Sequence, residues 1–373
     1  MAAKRILFIA LHRKGRSPSQ RFRFEQYERY FEEQGYVCDS SHIISERDDR
    51  ILYAPGHYLQ KLLILMSCFV KRCSDFLKLN RYDLIFIQRE AFIGTTLFER
   101  LYKLSGKPIV FDFDDAIWLL DISEGNKHFA FLKRPQKTAT IVRLADMVIA
   151  GNDFLAEYAR RFNTRVVTIP TTLNTSEFKP VDRAVVKNTV CIGWTGSLTT
   201  IKHFELAIPV LKRLKDKYGE RLSFKVIGAT PSFTNGLDLN PHAWSAENEI
   251  EDIRDIDIGI MPLPNDEWSK GKCAFKGLQY MAMGIPAVMS AVGANSVLID
   301  DGVNGYLATH EEEWFDKLSR LIDNPELRKK LGFQGRKTIV DRYSMDVFKK
   351  DYINMFDKLT GKRSTEPIEE KRN

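Results

Sequence analysis

The stretch Ser269–Ala308 constrains the fold of this chain more than any other, because it joins a helix, a turn and a short apolar strand. Gly284 and Pro286 predict where the helix ends, since glycine tolerates the positive φ of a C-cap and proline cannot continue a helix. The run 285–291 is nearly all apolar. Such runs are typical of a parallel sheet that is covered on both faces.

The predicted helix of this stretch places cations beside a turn. Lys272, Lys276 and Gln279 stand at i, i+4 and i+7, so they share one stripe of the helix. Two ammonium groups near the glycine turn at Gly293 indicate a site for a multiply charged anion, most simply a diphosphate. An ordinary solvated amphipathic helix is the alternative, and the lysines alone leave both interpretations open.

This stretch resembles the donor-site region of retaining GT-B glycosyltransferases of the large family 4. Three motifs carry the resemblance: QYMAMGIPAV at 279–288, the Val292-Gly293 turn, and DGVNGYL at 301–307. The resemblance covers most of the chain and is strongest over residues 189–308. It implies that the lysines hold the diphosphate of a nucleotide-sugar.

One departure from the family concerns its two glutamates, which stand eight positions apart. They fall on Gly271 and Gln279, so neither carboxylate is present in this sequence. Gln279 can still hydrogen-bond a ribose hydroxyl. An acidic contact to the sugar must then come from Asp266 or Glu267, or be absent.

A second anion site is predicted where the strand 189–194 is followed by Gly196, Ser197 and Lys202. A strand, a glycine turn and a helix start bring backbone N–H groups and a lysine to one end of a sheet. The resemblance assigns the donor phosphates to the same segment. Lys202 matches the family's lysine, although His203 replaces its usual glycine.

The chain has 373 residues, more than one hydrophobic core usually supports, so two domains are expected. With the resemblance, the predicted fold is α/β, with two Rossmann-like, doubly wound parallel-sheet domains that face each other across a cleft. The predicted parts are an N-terminal acceptor-side domain (1–175), a linker (176–188), a nucleotide-sugar-binding domain (189–344), a helix that crosses back to the first domain (345–360) and a disordered tail (361–373).

Composition indicates an ordinary soluble globular protein, with 44% hydrophobic and 28% charged residues. The five cysteines show neither a CxxC pair nor metal-ligand spacing, so a reducing cytoplasm is the simplest compartment. The first residues have too short an apolar run for a signal peptide and are expected to form the first strand.

The positive charge of the chain is unevenly distributed. The net charge is +7, and residues 1–180 contain 28 Lys and Arg against 21 Asp and Glu, so the whole excess lies there. We therefore expect the N-terminal domain to face an anionic partner such as a membrane surface or a lipid phosphate. No nucleic-acid-binding motif is present, so nucleic acid is not expected as a partner.

Two segments of the first domain share this charge. The loop 12–24 follows the predicted first strand and contains five bases, no acid and Gly15, as at the ligand-binding edge of an α/β sheet. A flexible surface loop is the alternative.

The segment 59–79 is rich in Leu and Phe with Lys61, Lys71, Arg72 and Lys78 between them, which suits a helix lying on a membrane surface. An ordinary core helix is equally compatible with it.

Asp112, Asp114 and Asp115 crowd at the end of a predicted buried strand, which raises the pKa of at least one carboxyl and indicates a functional site. They could be a GT-A metal site, the first motif of a haloacid-dehalogenase phosphatase, or the family-4 position that points at the sugar. Strand-end caps in an ion-pair cluster are the purely structural alternative. Ala116 stands where the phosphatase motif has Thr or Val, and only the family-4 interpretation explains both halves of the chain.

The function that the resemblance implies is transfer of a sugar, with retention, from a nucleotide-sugar to a glycan or lipid-linked glycan. Asp114 or Asp115 would orient the sugar or help to deprotonate the acceptor. No metal and no cofactor besides the donor are expected. A cytoplasmic location is expected, at the inner face of the membrane if the acceptor is lipid-linked, in surface polysaccharide or glycoconjugate assembly. The alternatives are a phosphatase that uses Asp112 and Asp114, and a nucleotide-sugar-binding protein without turnover.

Overall fold

The computed structural model describes residues 3–52, 54, 56–119, 136–180, 188–197, 200–230, 233 and 236–361. The chain divides into two compact units, Met1–Pro170 with Asp346–Asn373, and Thr171–Met345. Each unit contains one six-stranded parallel sheet with flanking helices. The predicted α/β fold class with two parallel sheets is confirmed.

Six parallel strands form the sheet of the first unit. They are β1 (Lys4–His12), β2 (Tyr36–Ile44), β3 (Leu84–Gln88), β4 (Ile109–Phe113), β5 (Met147–Ala150) and β6 (Val166–Thr168). Their order across the sheet is β2-β1-β3-β4-β5-β6. Every residue of β3 and β4 is buried, so both faces of the sheet are covered there.

The helices of the first unit connect these strands. They are α1 (Pro18–Arg21), α2 (Glu28–Glu33), α3 (Glu46–Leu52), α4 (Tyr58–Leu77), α5 (Leu97–Leu104), α6 (Gln136–Leu144) and α7 (Asp153–Arg160). In the part of the chain that the structure describes, no helix has both the length and the hydropathy to cross a bilayer.

The second unit repeats this architecture. Its strands are β7 (Val190–Thr195), β8 (Leu222–Ile227), β9 (Leu239–His242), β10 (Ile258–Met261), β11 (Ala287–Ser290) and β12 (Tyr306–Ala308), in the order β12-β11-β10-β7-β8-β9. Its helices are α8 (Ile201–Glu205), α9 (Ile208–Tyr218), α10 (Glu249–Arg254), α11 (Glu267–Lys270), α12 (Phe275–Ala282), α13 (Ala294–Leu298), α14 (Glu311–Asp323) and α15 (Pro325–Arg342).

The last helix, α16 (Met345–Thr360), packs within the first unit from Asp346 onward. The Tyr352 hydroxyl donates to the carbonyl oxygen of Arg23 at 2.8 Å, and the Tyr352 ring lies 4.8 Å from the ring of Tyr27. The Tyr36 hydroxyl also donates to Asp357 Oδ1 at 2.5 Å, so aromatic burial and two buried hydrogen bonds attach this helix to the first unit.

The boundary between the units lies at Pro170 rather than at the predicted residue 175. Leu173 belongs to the second unit because its N–H donates to the Tyr343 carbonyl oxygen at 3.0 Å. Of the predicted linker 176–188, residues 181–187 lie outside the described residues. The same holds for the predicted disordered tail beyond Gly361.

Candidate functional site

Two short helices, not one, position the predicted cations of the second unit. α11 begins at Asp266, whose carboxylate accepts a hydrogen bond from the Ser269 N–H at 2.7 Å. α12 begins only at Phe275, because Ala274 adopts a left-handed backbone with φ +55°. The predicted continuous helix through Lys272 is therefore wrong, and Lys272 lies in the turn between the two helices.

α12 is a buried helix. Every residue from Gly277 to Ala282 is buried, so the alternative of a solvated amphipathic helix is wrong. Beyond its end Gly284 has the predicted positive φ, +70°. Gln279 is 1% exposed, and its Nε2 has no hydrogen-bond partner. The predicted ribose contact stays a prediction, and it requires this side chain to move toward a ligand that can satisfy the buried donor.

The charges of three lysines of the second unit lower the pKa of one histidine. His203 on α8 is 5% exposed. Burial, and after it the positive charges of Lys276, Lys272 and Lys202 in that order, lower its pKa to about 4. Charges act at limited range, so each of the three predicted lysines lies near His203, and we call them the lysine cluster. Because His203 is neutral at neutral pH, it adds no charge to the cluster.

Tryptophan rings lie against two ammonium groups of the lysine cluster. The Nζ of Lys276 is 5.4 Å from the centroid of the Trp194 ring, and the Nζ of Lys272 is 4.7 Å from that of Trp268. Trp194 is completely buried, whereas Trp268 is half-buried. Cation–π contacts of this length restrict where a lysine side chain can point. Lys276 is thus placed against the core of the second unit.

The backbone N–H groups that were predicted to bind phosphate are engaged within the protein. The Gly196 N–H donates to the Ile227 carbonyl oxygen at 2.9 Å, and the Ser197 N–H donates to Thr200 Oγ1 at 3.0 Å. The prediction of free N–H donors at Gly196 and Ser197 is therefore wrong for this conformation. A Cβ at Gly196 would lie 2.1 Å from the Trp194 ring, so glycine is required there for packing.

Gly293 holds the turn that precedes α13. Its backbone has φ +54° and ψ −131°, a combination that favours glycine. A Cβ at this position would lie 2.8 Å from the Cα and the carbonyl oxygen of Lys270. The structure therefore places Gly293 against the backbone of α11, just before Lys272. A direct contact between Gly293 and the donor stays a prediction.

Replacing Gly293 by alanine is expected to destabilise the protein more than the same change at Gly219. Gly219 has almost the same backbone, φ +54° and ψ −129°, but a Cβ added there would have no other atom within 4 Å. Both variants carry backbone strain of about 1–3 kcal/mol. Gly293→Ala adds the clash with Lys270, about 1–3 kcal/mol more. Urea denaturation of both variants measures the difference, and equal losses would contradict the contact.

A charged cluster stands at the ends of β3 and β4 in the first unit. The Arg89 Nε donates to Asp114 Oδ1 at 2.8 Å, and its guanidinium lies 3.5 Å from Asp115 Oδ2. Burial raises the pKa of Asp114, but the charges of Arg89 and Arg23 and hydrogen bonds from Ser19 and Arg89 hold it below its ordinary value. Asp114 is therefore ionised at neutral pH. Arg89 itself has a left-handed backbone, φ +61°.

Sequence reasoning missed the role of Arg89. Its only signal is a polar residue directly after a strand whose every residue is buried. A non-glycine residue with positive φ is strained, and such strain is concentrated at functional sites. In the turn that Arg89 makes at the end of β3, its N–H donates to the Asp112 carbonyl oxygen at 2.7 Å. The guanidinium is thereby held beside both predicted catalytic carboxylates, Asp114 and Asp115.

Asp112 belongs to a buried ion pair rather than to an open site. Its side chain and that of Arg23 are both 0% exposed. The Arg23 Nε donates to both Asp112 carboxylate oxygens, at 3.1 and 3.2 Å. A phosphatase nucleophile must reach its substrate, so this geometry argues against the phosphatase interpretation. Among the described residues, no group of three or more His, Cys, Asp or Glu side chains is arranged to hold a metal ion.

Most bases of the loop 12–24 are paired within the first unit. The pairs are Arg13–Asp49, Lys14–Glu28, Arg16–Asp49 and Arg23–Asp112. Gly15 has φ +80°, and its N–H donates to Glu25 Oε2 at 2.9 Å. These contacts fix the loop, which argues against a flexible surface segment. An anionic ligand at Gly15 would compete with internal carboxylates, so the predicted role of Gly15 in binding remains a prediction.

Most of the second unit is similar to a known protein family. Residues 189–324 match the family model described as Glycosyl transferases group 1. This segment contains the whole lysine cluster. A search of curated protein sequences found no significant match.

Solved structures are similar to nearly the whole chain. Sucrose-phosphate synthase from Thermosynechococcus elongatus superimposes with a TM-score of 0.70 at 14% identity, over 96% of this chain and 100% of the other. A glycosyltransferase from Rickettsia africae gives 0.67 at 13% identity, over 96% and 99%. HepE from Anabaena, solved with UDP and glucose, gives 0.64 at 13% identity, over 95% and 100%. At these identities the similarity shows the fold, and the predicted GT-B fold is confirmed.

Proposed function

We propose that the protein is a glycosyltransferase that moves a sugar from a nucleotide-sugar donor to a glycan or lipid-linked glycan, with retention of anomeric configuration. The observation that carries this proposal is the lysine cluster. The charges of Lys202, Lys272 and Lys276 all act on the buried, neutral His203. The segment that contains them matches the glycosyltransferase family model.

The lysine cluster suits the departure of a diphosphate. When the bond between the anomeric carbon and the diphosphate oxygen breaks, its electron pair stays on the diphosphate, whose negative charge increases. Cations already placed beside that oxygen lower the energy of the transition state more than that of the bound donor. The proposal therefore includes no metal ion and no cofactor besides the donor.

We assign the acceptor side to the first unit. Asp114 is held ionised by Arg89 and is 11% exposed. A carboxylate whose pKa is lowered is a weak base, so its suitable role is to accept a hydrogen bond from a sugar hydroxyl and orient it. Asp115, 13% exposed and near the same guanidinium, is the second candidate. Of the two roles predicted for these carboxylates, we retain orientation of the sugar.

An acidic contact to the donor sugar remains to be assigned, because the family's glutamate positions hold Gly271 and Gln279. Asp266 is the acid whose charge raises the pKa of His203, so it lies near the lysine cluster. Glu267 is instead paired with Lys270 at 2.6 Å. We therefore propose Asp266 as the carboxylate nearest to the sugar.

Release of nucleoside diphosphate from a panel of nucleotide-sugars tests the proposed function. UDP-sugars come first in the panel, because HepE was solved with UDP and glucose. We expect release with at least one donor, increased by a glycan acceptor, and a product with the anomeric configuration of the donor by NMR. Binding of donors without release would instead support a nucleotide-sugar-binding protein, the interpretation that the missing glutamates make conceivable.

A further inference from the structure

Helix α4 buries charged side chains and exposes apolar ones, the reverse of an ordinary surface helix. Two of its cations are inside the protein: Lys61 is 5% exposed and Arg72 is 0% exposed. Most of its exposed side chains are large and apolar, and we call six of them the apolar face. They are Leu59 (79% exposed), Leu62 (55%), Leu63 (64%), Met66 (60%), Val70 (67%) and Leu77 (78%). Of the four cations that suggested a helix lying on a membrane surface, Lys61 and Arg72 are therefore not available to a membrane, and the membrane contact itself stays a prediction.

The buried cations explain why the apolar face stays outside. The guanidinium of Arg72 donates to the carbonyl oxygens of Ala91 and Ala10, both at 2.7 Å, and to Ser41 Oγ at 3.0 Å. The Nζ of Lys61 donates to the Ala54 carbonyl oxygen at 2.7 Å. Rotating the helix to bury its leucines would leave these charged donors without partners, which is strongly unfavourable.

The exposed leucines of this 20-residue helix contribute no hydrophobic free energy to folding in water, because they stay in contact with solvent. Soluble proteins rarely keep contiguous apolar patches of this kind unless the patch binds something. Crossing a bilayer is not compatible with α4, because Lys61, Lys71, Arg72 and Asp75 interrupt its apolar run. A helix that lies flat at an interface fits both the exposed leucines and the buried charges.

The charges around the apolar face identify the partner. On α4, its C-cap and α5, the exposed charged side chains are Lys71, Lys78 and Arg100. The acids of these two helices point inward: Asp75 is 12% exposed and bonded to Arg72, and Glu99 is 0% exposed. On the adjoining α3 both signs occur, with Glu46 paired to Arg50.

We propose that the apolar face of α4, together with Lys71, Lys78 and Arg100, docks on the surface of an anionic lipid bilayer. A second copy of the chain is a poorer occupant, because a twofold contact would bring these cations against themselves. Anionic headgroups supply the opposite charge, and the acyl boundary accepts the leucines. This inference goes beyond the proposed function, because lipid binding does not depend on whether sugar is transferred.

Vesicle flotation of the full chain tests the proposal. The vesicles contain equal parts of phosphatidylcholine and phosphatidylglycerol, with pure phosphatidylcholine as the comparison. The test variant carries Leu63→Glu, Met66→Glu and Val70→Glu. We expect wild-type protein to float with the anionic vesicles and the variant to lose affinity by roughly tenfold or more, because three apolar side chains no longer enter the interface.

A matched control carries the same added charge on the second unit, as Val297→Glu, Val303→Glu and Phe333→Glu. These side chains are 59%, 49% and 68% exposed, so the change in net charge and the risk to folding are similar. The control should float like wild type, and thermal melting should show that both variants are folded. Equal flotation of the test variant and wild type, or no flotation of wild type, would overturn the proposal. Concentration-dependent dimers that only the α4 substitutions abolish would show that a second copy covers this face instead.

Discussion

Replacing Lys276 by alanine is expected to lower kcat/KM for the nucleotide-sugar by about 100- to 1,000-fold, the range found when one preorganised charge-stabilising donor is removed. Lys276 is half-buried and lies against the fully buried Trp194 ring, so its ammonium group is held in place before the donor binds. Water that replaces the side chain would reorient during the reaction and stabilise the leaving diphosphate less. Steady-state release of nucleoside diphosphate measures the change.

Lys270→Ala is the matched control for this prediction. Lys270 belongs to the same segment, but its Nζ is paired with Glu267 at 2.6 Å on the protein surface. Removing a surface pair of this kind changes little, so we expect kcat/KM within about twofold of wild type. If Lys276→Ala kept wild-type turnover, Lys276 would not be a diphosphate ligand. If both variants lost activity equally, the effect would come from the fold of the segment.

Replacing Arg23 by methionine is expected to lower the free energy of unfolding by about 3–5 kcal/mol, because it leaves the Asp112 carboxylate buried without its partner. Both side chains are completely buried. The double variant Arg23→Met, Asp112→Leu should recover much of this stability, since an apolar pair needs no counter-charge. Urea denaturation of the two variants gives both values.

The pH dependence of this loss distinguishes an unpaired charge from a packing defect. Burial raises the pKa of Asp112 above its ordinary value even with Arg23 present, although Arg23 opposes the shift. Without Arg23 the pKa of Asp112 rises further, so the folded variant takes up a proton before the unfolded chain does. The deficit of Arg23→Met should therefore shrink as the pH falls.

The surface pair Lys4–Asp83 is the control for the buried pair. Its side chains are 35% and 32% exposed, so Lys4→Met should cost less than about 1 kcal/mol. A pH-independent deficit in Arg23→Met, or a double variant no more stable than the single one, would contradict the explanation by an unpaired buried carboxylate.

Local patterns predicted the sheet of the second unit well. The apolar run of β11 and the positive φ of Gly284 follow from neighbouring residues, and the structure has both. The break before α12 could not be predicted, because alanine rarely adopts the left-handed backbone that Ala274 has. That break moves Lys272 out of the helix and into a turn, where it still acts on His203.

Interactions between distant residues account for what the sequence could not reveal. The Arg23–Asp112 pair joins residues 89 positions apart, so an acidic cluster that looked accessible proved partly buried. The leucines, phenylalanines and cations of the segment 59–79 indicated a membrane-surface helix, but they could not tell which side of α4 is inside. That choice depends on carbonyl oxygens of Ala10 and Ala91, which only the folded sheet brings to Arg72.

Calorimetric titration with a nucleoside diphosphate tests most directly whether the lysine cluster binds the leaving group of the reaction. We predict that wild-type protein binds the diphosphate more tightly than the corresponding monophosphate. Each of Lys202→Ala, Lys272→Ala and Lys276→Ala should weaken diphosphate binding by roughly tenfold, the loss of one charge-assisted hydrogen bond, with little effect on the free nucleoside. Equal diphosphate affinity in wild type and in the variant that lacks all three lysines would contradict the central claim.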